Sequence, residues 1–309
     1  MINSSQLESN FLSILKFFKC RYAEKKELEK LLQSPSFMVN IRTIGLGYRR
    51  FFWKHLSEHC IEWRFRKSEG MSSSSKGDEL AQLFSKLSYT HIYHNQKIDL
   101  QSITNISSSK SDLLAMNSLD KLVIVDSQDL IPEITEKQLN KNLSHFDSKI
   151  FHRNNETVTC DLWTGEFTWH NECGGSHHFC AARYIARHLE KQVSLTVNLE
   201  VNAIDEAVYN ELFDKYDIFI ISTSDSEKNN LLNETLFNLR ATFISIPLNF
   251  DYFSVDKTLR KSKLIAFYRD DVRVRDIVDI FKRYKMLNCS EYFSTLLKQQ
   301  RLNIEKPIY

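Results

Sequence analysis

The chain has 309 residues, 26% of them charged, with 41 basic against 39 acidic side chains and a formal net charge of +2. That balance excludes a global field drawing in nucleic acid or an acidic membrane, so any such contact must come from a local patch. Hydrophobic residues make up 42% of the chain, enough for a core of ordinary size in one large domain or two smaller ones.

The six cysteines, Cys20, Cys60, Cys160, Cys173, Cys180 and Cys289, form no CxxC pair. Free thiols in a reducing, cytoplasmic setting are the expectation for a chain of this length. Met1–Cys20 reads as amphipathic helix rather than signal peptide, because Glu8, Lys16 and Lys19 interrupt its apolar residues. No stretch approaches the ~20 apolar residues of a membrane span.

Taken in order, Gln6–Gln33 has helical periodicity, with Leu7, Phe11, Ile14, Leu15 and Phe18, then Leu28, Leu31 and Leu32. Ser34-Pro35-Ser36 stops it. Arg42–Lys67 is basic and aromatic, with arginines interleaved among Tyr48, Phe51, Phe52, Trp53, Trp63 and Phe65. Such a segment can hold single-stranded nucleic acid by charge and stacking, although aromatics in the core and arginines in solvent is the blander reading. His55 and His59 have helical spacing, but no glutamate follows His55 as metalloprotease chemistry requires.

The serine run within Ser68–Gly77 is the best linker candidate. Asp78–Leu87 reads as a short helix and Asn105–Ser111 as a polar loop. The apolar run Lys121–Asp126 is expected to be a strand and Thr135–Phe146 a helix. Glu156–Trp163 and Glu166–His170 alternate like a hairpin turned at Thr164-Gly165. Gly174-Gly175-Ser176 then opens a helix from about His177 to Glu190, with Ala181, Ala182, Ile185 and Leu189 as its buried stripe and Ser176 as its expected cap. Val193–Val201 follows as a strand.

Beyond it, helices are expected at Asp205–Tyr216, Lys228–Leu239, Val272–Tyr284 and Ser290–Gln299, and strands at Asp217–Ser222, Ala241–Pro247 and Lys263–Tyr268. This alternation implies an α/β fold with a mixed, partly parallel sheet. Three regions result: residues 1–77, helical and basic-aromatic; residues 78–204, carrying the hairpin and the glycine turn; and residues 205–309, an α/β extension.

Only seven glycines occur, and three, Gly165, Gly174 and Gly175, fall within eleven residues. A helix start opened by two glycines exposes backbone N–H groups and the positive end of a helix dipole, and His177 and His178 add donors. Phosphate or carboxylate is the matching ligand, and an ordinary tight turn the competing reading. A zinc set, His170, Cys173, His177, His178 and Cys180, is the rival, but its spacing is irregular and Cys180 falls near the apolar face of the helix. Asp225 and Glu227 sit in a loop after a strand, and Asp270-Asp271 precedes a helix that it more naturally starts.

The order of hairpin, glycine box, alanine-rich helix and strand resembles the core of the ParB/sulfiredoxin superfamily. Gly174-Gly175-Ser176-His177-His178-Phe179 is similar to sulfiredoxin's Gly-Gly-Cys-His-Arg-Tyr. The resemblance spans roughly Leu119–Val201, with Lys121–Leu130 as the first strand. It implies a ParB/sulfiredoxin-like central region that binds nucleotide phosphates, of CTP, ATP or ADP, with Mg2+ as the accompanying cation. Gly174, Gly175, Ser176, His177, His178 and Arg183 are then the ligand-binding residues. If the protein is an enzyme, phosphoryl transfer or nucleotide hydrolysis is the implied reaction, with Glu166 and Glu172 as acid–base candidates by position alone. Ser176 replaces sulfiredoxin's reactive cysteine, which argues against sulfinic acid reduction. His178 replaces the superfamily's arginine, a permanent bidentate clamp. That loss favours the alternative of a non-catalytic interaction or regulatory protein with a degenerate site.

Overall fold

In the computed structural model the described residues are 19–39, 46, 53, 61–63, 75–171, 174–248 and 261–305. They form an α/β fold built on two five-stranded sheets. The first, in the order β2-β6-β4-β5-β3, is mixed. It comprises β2 (Ser88–Asp99), β3 (Asn105–Ile106), β4 (Thr157–Asp161), β5 (Glu166–Trp169) and β6 (Ser194–Ile204). β4 pairs antiparallel with β5 and parallel with β6, while β2 runs antiparallel along β6 at the sheet edge.

Three helices cover one face of this sheet: α3 (Leu119–Asp126), α4 (Glu136–Leu143) and α5 (Ser176–His188). Leu195, Val197, Leu199 and Val201 alternate inward along β6 to meet Leu122, Val123, Leu139, Phe179, Ala182 and Ile185. The small side chains of α5 let it lie close to the sheet and to α3 and α4, and Ala181, Ala182 and Ile185 are buried as the helical spacing predicts, with Leu189 partly so.

The second sheet, in the order β1-β8-β9-β7-β10, is antiparallel throughout. It joins β7 (Tyr216–Ser222), β8 (Phe243–Pro247), β9 (Ser262–Tyr268) and β10 (Leu287–Asn288), with β1 (Ile61–Trp63) from the N-terminal region. One face packs on α2 (Ser75–Lys86), α6 (Glu206–Lys215) and α9 (Cys289–Ile304). The other packs on α1 (residues 19–32), α7 (Ser226–Asn238) and α8 (Arg275–Arg283). Ile218 and Ile220 of β7 face one layer, Phe219 and Ile221 the other. The continuous apolar runs therefore record burial on both faces, not parallel direction, and the expected parallel pairing is confined to the first sheet.

One further expectation is corrected, and one unassigned segment gains a strand. Lys121–Asp126 is helix, not strand: Ser118 caps α3 by accepting from the Lys121 N–H at 3.1 Å. Leu119, Leu122 and Val123 are buried while Ile124 and Val125 are exposed, so the short apolar run Leu122–Val125 conceals a one-sided stripe. β2 replaces an unassigned segment, because its exposed residues lack the inward alternation that marks a half-buried strand. Elsewhere polar side chains cap the helices: Thr135, Asp205, Asp225 and Asn288 each accept from a first-turn N–H.

Of the proposed linker only its last three residues are described, and they begin α2. Among the described residues no helix is long and apolar enough to cross a membrane.

Candidate functional site

The hairpin turns at Gly165, whose φ is +72°, with its N–H donating to Asp161 O at 2.8 Å. β5 then carries the chain to Asn171. This buried amide ties down a serine loop: its Oδ1 accepts from Ser107 Oγ and the Ser108 N–H, and its Nδ2 donates to Ser108 O at 2.7 Å. The loop's Ser109 is thereby set against the start of α5.

Gly175, at φ +80°, is the N-cap of α5, and no side chain caps the helix. Ser176, expected in that role, is instead the first helical residue and donates to Ser109 Oγ at 3.2 Å. Gly175 takes the cap in the left-handed conformation, which glycine adopts without steric cost, and Ser176 falls one residue inside the helix. A Cβ on Gly175 would lie 2.3 Å from the carbonyl oxygen of Asp147, whereas one on Gly174, at φ +95°, would meet nothing within 4 Å. Gly175 thus permits close packing, and Gly174 leaves the approach to the helix end open. The first helical bond is Phe179 N–H to Gly175 O, so the Ser176, His177 and His178 N–H groups come before it.

The two histidines differ. His177 Nδ1 lies 2.5 Å from buried Ser127 Oγ, and its Nε2 faces Ser109 Oγ at 3.5 Å. Ser109 Oγ already accepts from Ser176 Oγ and Ser111 N–H, so its own hydroxyl proton is the one directed at Nε2. His177 is therefore a link between loops rather than a free donor. His178 Nδ1 lies 2.9 Å from Asn142 Oδ1. Asn142 donates through Nδ2 to Leu130 O and Gln138 O, so its oxygen accepts and His178 carries the proton on Nδ1. Nε2 is left as the titrating nitrogen.

The His178 ring stacks on His145, centroids 3.5 Å apart and planes 12° from parallel, and Phe146 stacks on His145 in turn. Burial lowers the pKa of His178, and the neighbouring His145 ring adds to the effect; Asp147 and Asp129 act in the opposite sense.

The remaining sequence candidates do not converge here. Arg183 donates to Asp120 Oδ1 at 2.8 Å and Arg187 to Asp120 Oδ2 at 2.6 Å, so both are held on the α3 side. Arg183 stands seven residues, about 10 Å, along α5 from Ser176 and supplies no clamp at its start. Glu166 opens β5 at the hairpin turn, a strand's length from Gly174, beside the end of α9 where Asn303 Nδ2 donates to Leu162 O. Glu172 lies outside the described residues. Of the zinc set, Cys173 does too, His170 Nε2 lies 2.5 Å from Thr159 Oγ1, and Cys180 is in the core with its pKa pushed up to about 12 by burial. A thiol so buried resists the deprotonation that zinc ligation needs. Among the described residues no group of three His, Cys, Asp or Glu side chains is placed to hold a metal ion.

Within Arg42–Lys67 side chains are described only for Leu46 and Trp53. Trp53 is buried, edge-on to Phe293 at 4.9 Å and to Trp163 at 5.7 Å, and is core rather than a stacking platform. His55 and His59 lie outside the described residues. Asp225 caps α7, and Asp271 is held by Arg273.

Sequence reasoning missed Ser109, Ser127, Asn142, His145 and Asn171, which surround the box without belonging to it. The serine run of Asn105–Ser111 is the one signal of them in the chain.

A family model described as a family of unknown function, DUF6685, matches residues 93–306. No curated protein and no solved structure matches the chain.

Proposed function

The chain belongs to the DUF6685 family, and we propose that it binds a nucleotide whose phosphates sit on the N-terminus of α5, at Gly174–His178. The observation that carries this reading is the helix start itself: a left-handed glycine cap without a capping side chain, reached past an open Gly174, with His178 Nε2 on the first turn. The N–H groups and the dipole favour an anion there, and a protonated His178 strengthens it.

Phe146 favours a nucleotide over bare phosphate. Its ring is 78% exposed and belongs to a stack that ends on His178. A base stacked on such a ring gains on the order of 1–3 kcal/mol. The hairpin–helix–parallel strand order of β4, β5, α5 and β6 keeps the ParB/sulfiredoxin resemblance as support, while the helix at Leu119–Asp126 departs from it. Mg2+, if used, enters with the ligand's phosphates, as that ion commonly does.

A second reading is favoured by Arg183. With that arginine held by Asp120, the permanent cation expected from the sequence does not reach the helix start, as suits an interaction or regulatory protein that binds its ligand without phosphoryl transfer or hydrolysis.

A thermal-shift series with CTP, ATP, ADP and inorganic phosphate, each with and without Mg2+, tests the proposal. The expected result is stabilisation by nucleotides that exceeds that by phosphate, with the excess lost in Phe146→Ala. Equal, negligible shifts with all four ligands would refute it.

A further inference from the structure

The loop that follows β3 leaves the sheet edge as Ser107, Ser108 and Ser109, and it is fixed before it reaches α5. Besides the bonds from Asn171 to Ser107 Oγ and to the Ser108 backbone, Ser108 Oγ donates to Asn171 O and Asn171 N–H to Ser107 Oγ, each at 3.1 Å. Ser107 N–H donates to Trp169 O at 2.9 Å. A polar loop held this firmly sets the place of the next side chain, Ser109. That place is the first turn of α5: Ser109 Oγ lies 3.5 Å from His177 Nε2 and 3.2 Å from Ser176 Oγ.

On the far side of the imidazole, His177 Nδ1 lies 2.5 Å from Ser127 Oγ. With the Ser109 proton directed at Nε2, Nδ1 carries the ring proton and Ser127 Oγ accepts it. Ser127 is itself anchored: its N–H donates to Val123 O and its carbonyl accepts from Leu130 N–H, both at 3.0 Å. A hydroxyl, a base and a group that orients the base therefore follow one another, as covalent catalysis requires. Burial is graded along this relay. Ser127 and Ser176 are buried, while Ser109 and His177 are half-buried and reachable from solvent. Catalytic hydrogen bonds are often this long before substrate tightens them.

We propose that Ser109 is the nucleophile of an ester hydrolase site, with His177 as its general base and Ser127 as the positioning residue. Ser109 Oγ adds to the carbonyl carbon of a carboxylic ester and its proton passes to His177 Nε2. The Ser176 hydroxyl, which holds one Ser109 lone pair at rest, turns to the oxyanion and frees that lone pair for the attack. The Ser176, His177 and His178 N–H groups, ahead of the first helical bond, face the same charge past the open Gly174. The ester C–O bond then breaks, the alcohol leaving with the proton from His177. Water, deprotonated by His177, releases the acyl group as a carboxylate and restores Ser109. Arg183 and Arg187 decide for a carboxylic ester over phosphoryl transfer to Ser109. Both are held by Asp120, whereas a phosphoryl group in flight is ordinarily met by cations; a carbonyl is neutral until attacked and needs only N–H donors. The activity is additional to nucleotide binding.

Two measurements on the full chain test it, both without nucleotide, so neither depends on the nucleotide reading. A fluorophosphonate should lose fluoride to Ser109 Oγ, and peptide mass spectrometry should find the adduct on Ser109 in wild type and not in His177→Gln. Turnover of p-nitrophenyl acetate should be lost in Ser109→Ala, and kcat should fall roughly 10²–10⁴-fold in His177→Gln, the usual reach of general-base catalysis. Ser127→Ala should lower kcat and leave KM unchanged, which loss of folded protein alone does not distinguish; circular dichroism checks the fold of each variant. Wild-type protein that takes no fluorophosphonate on Ser109 would overturn the proposal, and that arm needs no variant to fold. Ester turnover that persists unchanged in a folded Ser109→Ala would overturn it equally.

Discussion

Gly175 and Gly174 stand side by side with positive φ, yet they meet different demands. At Gly175 an added Cβ collides with the Asp147 backbone, whereas at Gly174 it enters open space. Gly175→Ala should therefore cost at least about 2 kcal/mol in denaturant unfolding, from strain and collision together, and Gly174→Ala only about 1–2 kcal/mol of backbone strain. Equal losses would show that the Asp147 contact has no energetic weight. His178 makes a second prediction. Its folded pKa is lowered, so the native state binds fewer protons than the unfolded chain in the window between the two values. Its contribution to stability is complete above the unfolded value, near pH 6.5, and is lost as pH falls through the lowered folded value. His178→Gln, which cannot titrate, should flatten that part of the stability–pH curve. An unchanged slope would mean that His178 is not the group responsible. The paired glycines were legible because glycine is scarce in the chain, but composition could not reveal which of the two is packed and which is open.

At the scale of elements, the site is a junction of four chain segments held by amides and serines. Asn171 fastens the Ser107–Ser109 loop, and Asn142 fastens α4 to both Leu130 and His178. Asn171→Ala leaves the Ser108 N–H and C=O without these partners and should cost about 1–3 kcal/mol. Hydrogen exchange should quicken at Ser108 before it does in α5; uniform protection would show that the loop is held by something else. Most elements near this junction were readable from periodicity and alternation, α4, α5 and the β4–β5 hairpin among them. α3 was not, because the short apolar run Leu122–Val125 satisfies a strand and a helix equally, and only the exposed Ile124 and Val125 separate the two. β2 escaped for the opposite reason: a strand exposed on both faces has no hydrophobic period to detect.

Across the whole molecule, Trp53 links regions that are distant in sequence. It sits against Trp163 at the hairpin end and Phe293 of α9, and donates to Ser88 Oγ at 3.2 Å where β2 begins. Trp53→Ala should lower unfolding free energy by about 3–5 kcal/mol, a core penalty rather than a loss of nucleic-acid affinity. A fully stable variant would contradict the placement. The α/β class and the mixed first sheet followed from the alternation of patterns, whereas the antiparallel second sheet did not, since burial on both faces erases the signal of direction. The chemistry of the site was legible only in the box itself, for most of its supports, Ser109, Ser127, Asn142 and His145, come from distant parts of the sequence. Calorimetric titration of wild type, His178→Ala and His178→Arg with CTP, ATP and ADP, between about pH 8 and pH 5, a range carried below the ordinary histidine value because burial lowers that of His178, tests the central claim most directly. Wild-type affinity for at least one nucleotide should rise as pH falls and His178 gains its proton. His178→Ala should lose that dependence, and His178→Arg should bind more tightly at the upper pH by about 1–2 kcal/mol. No heat of binding from any variant with any nucleotide at millimolar ligand would contradict the claim and leave Gly174–His178 as a helix start alone.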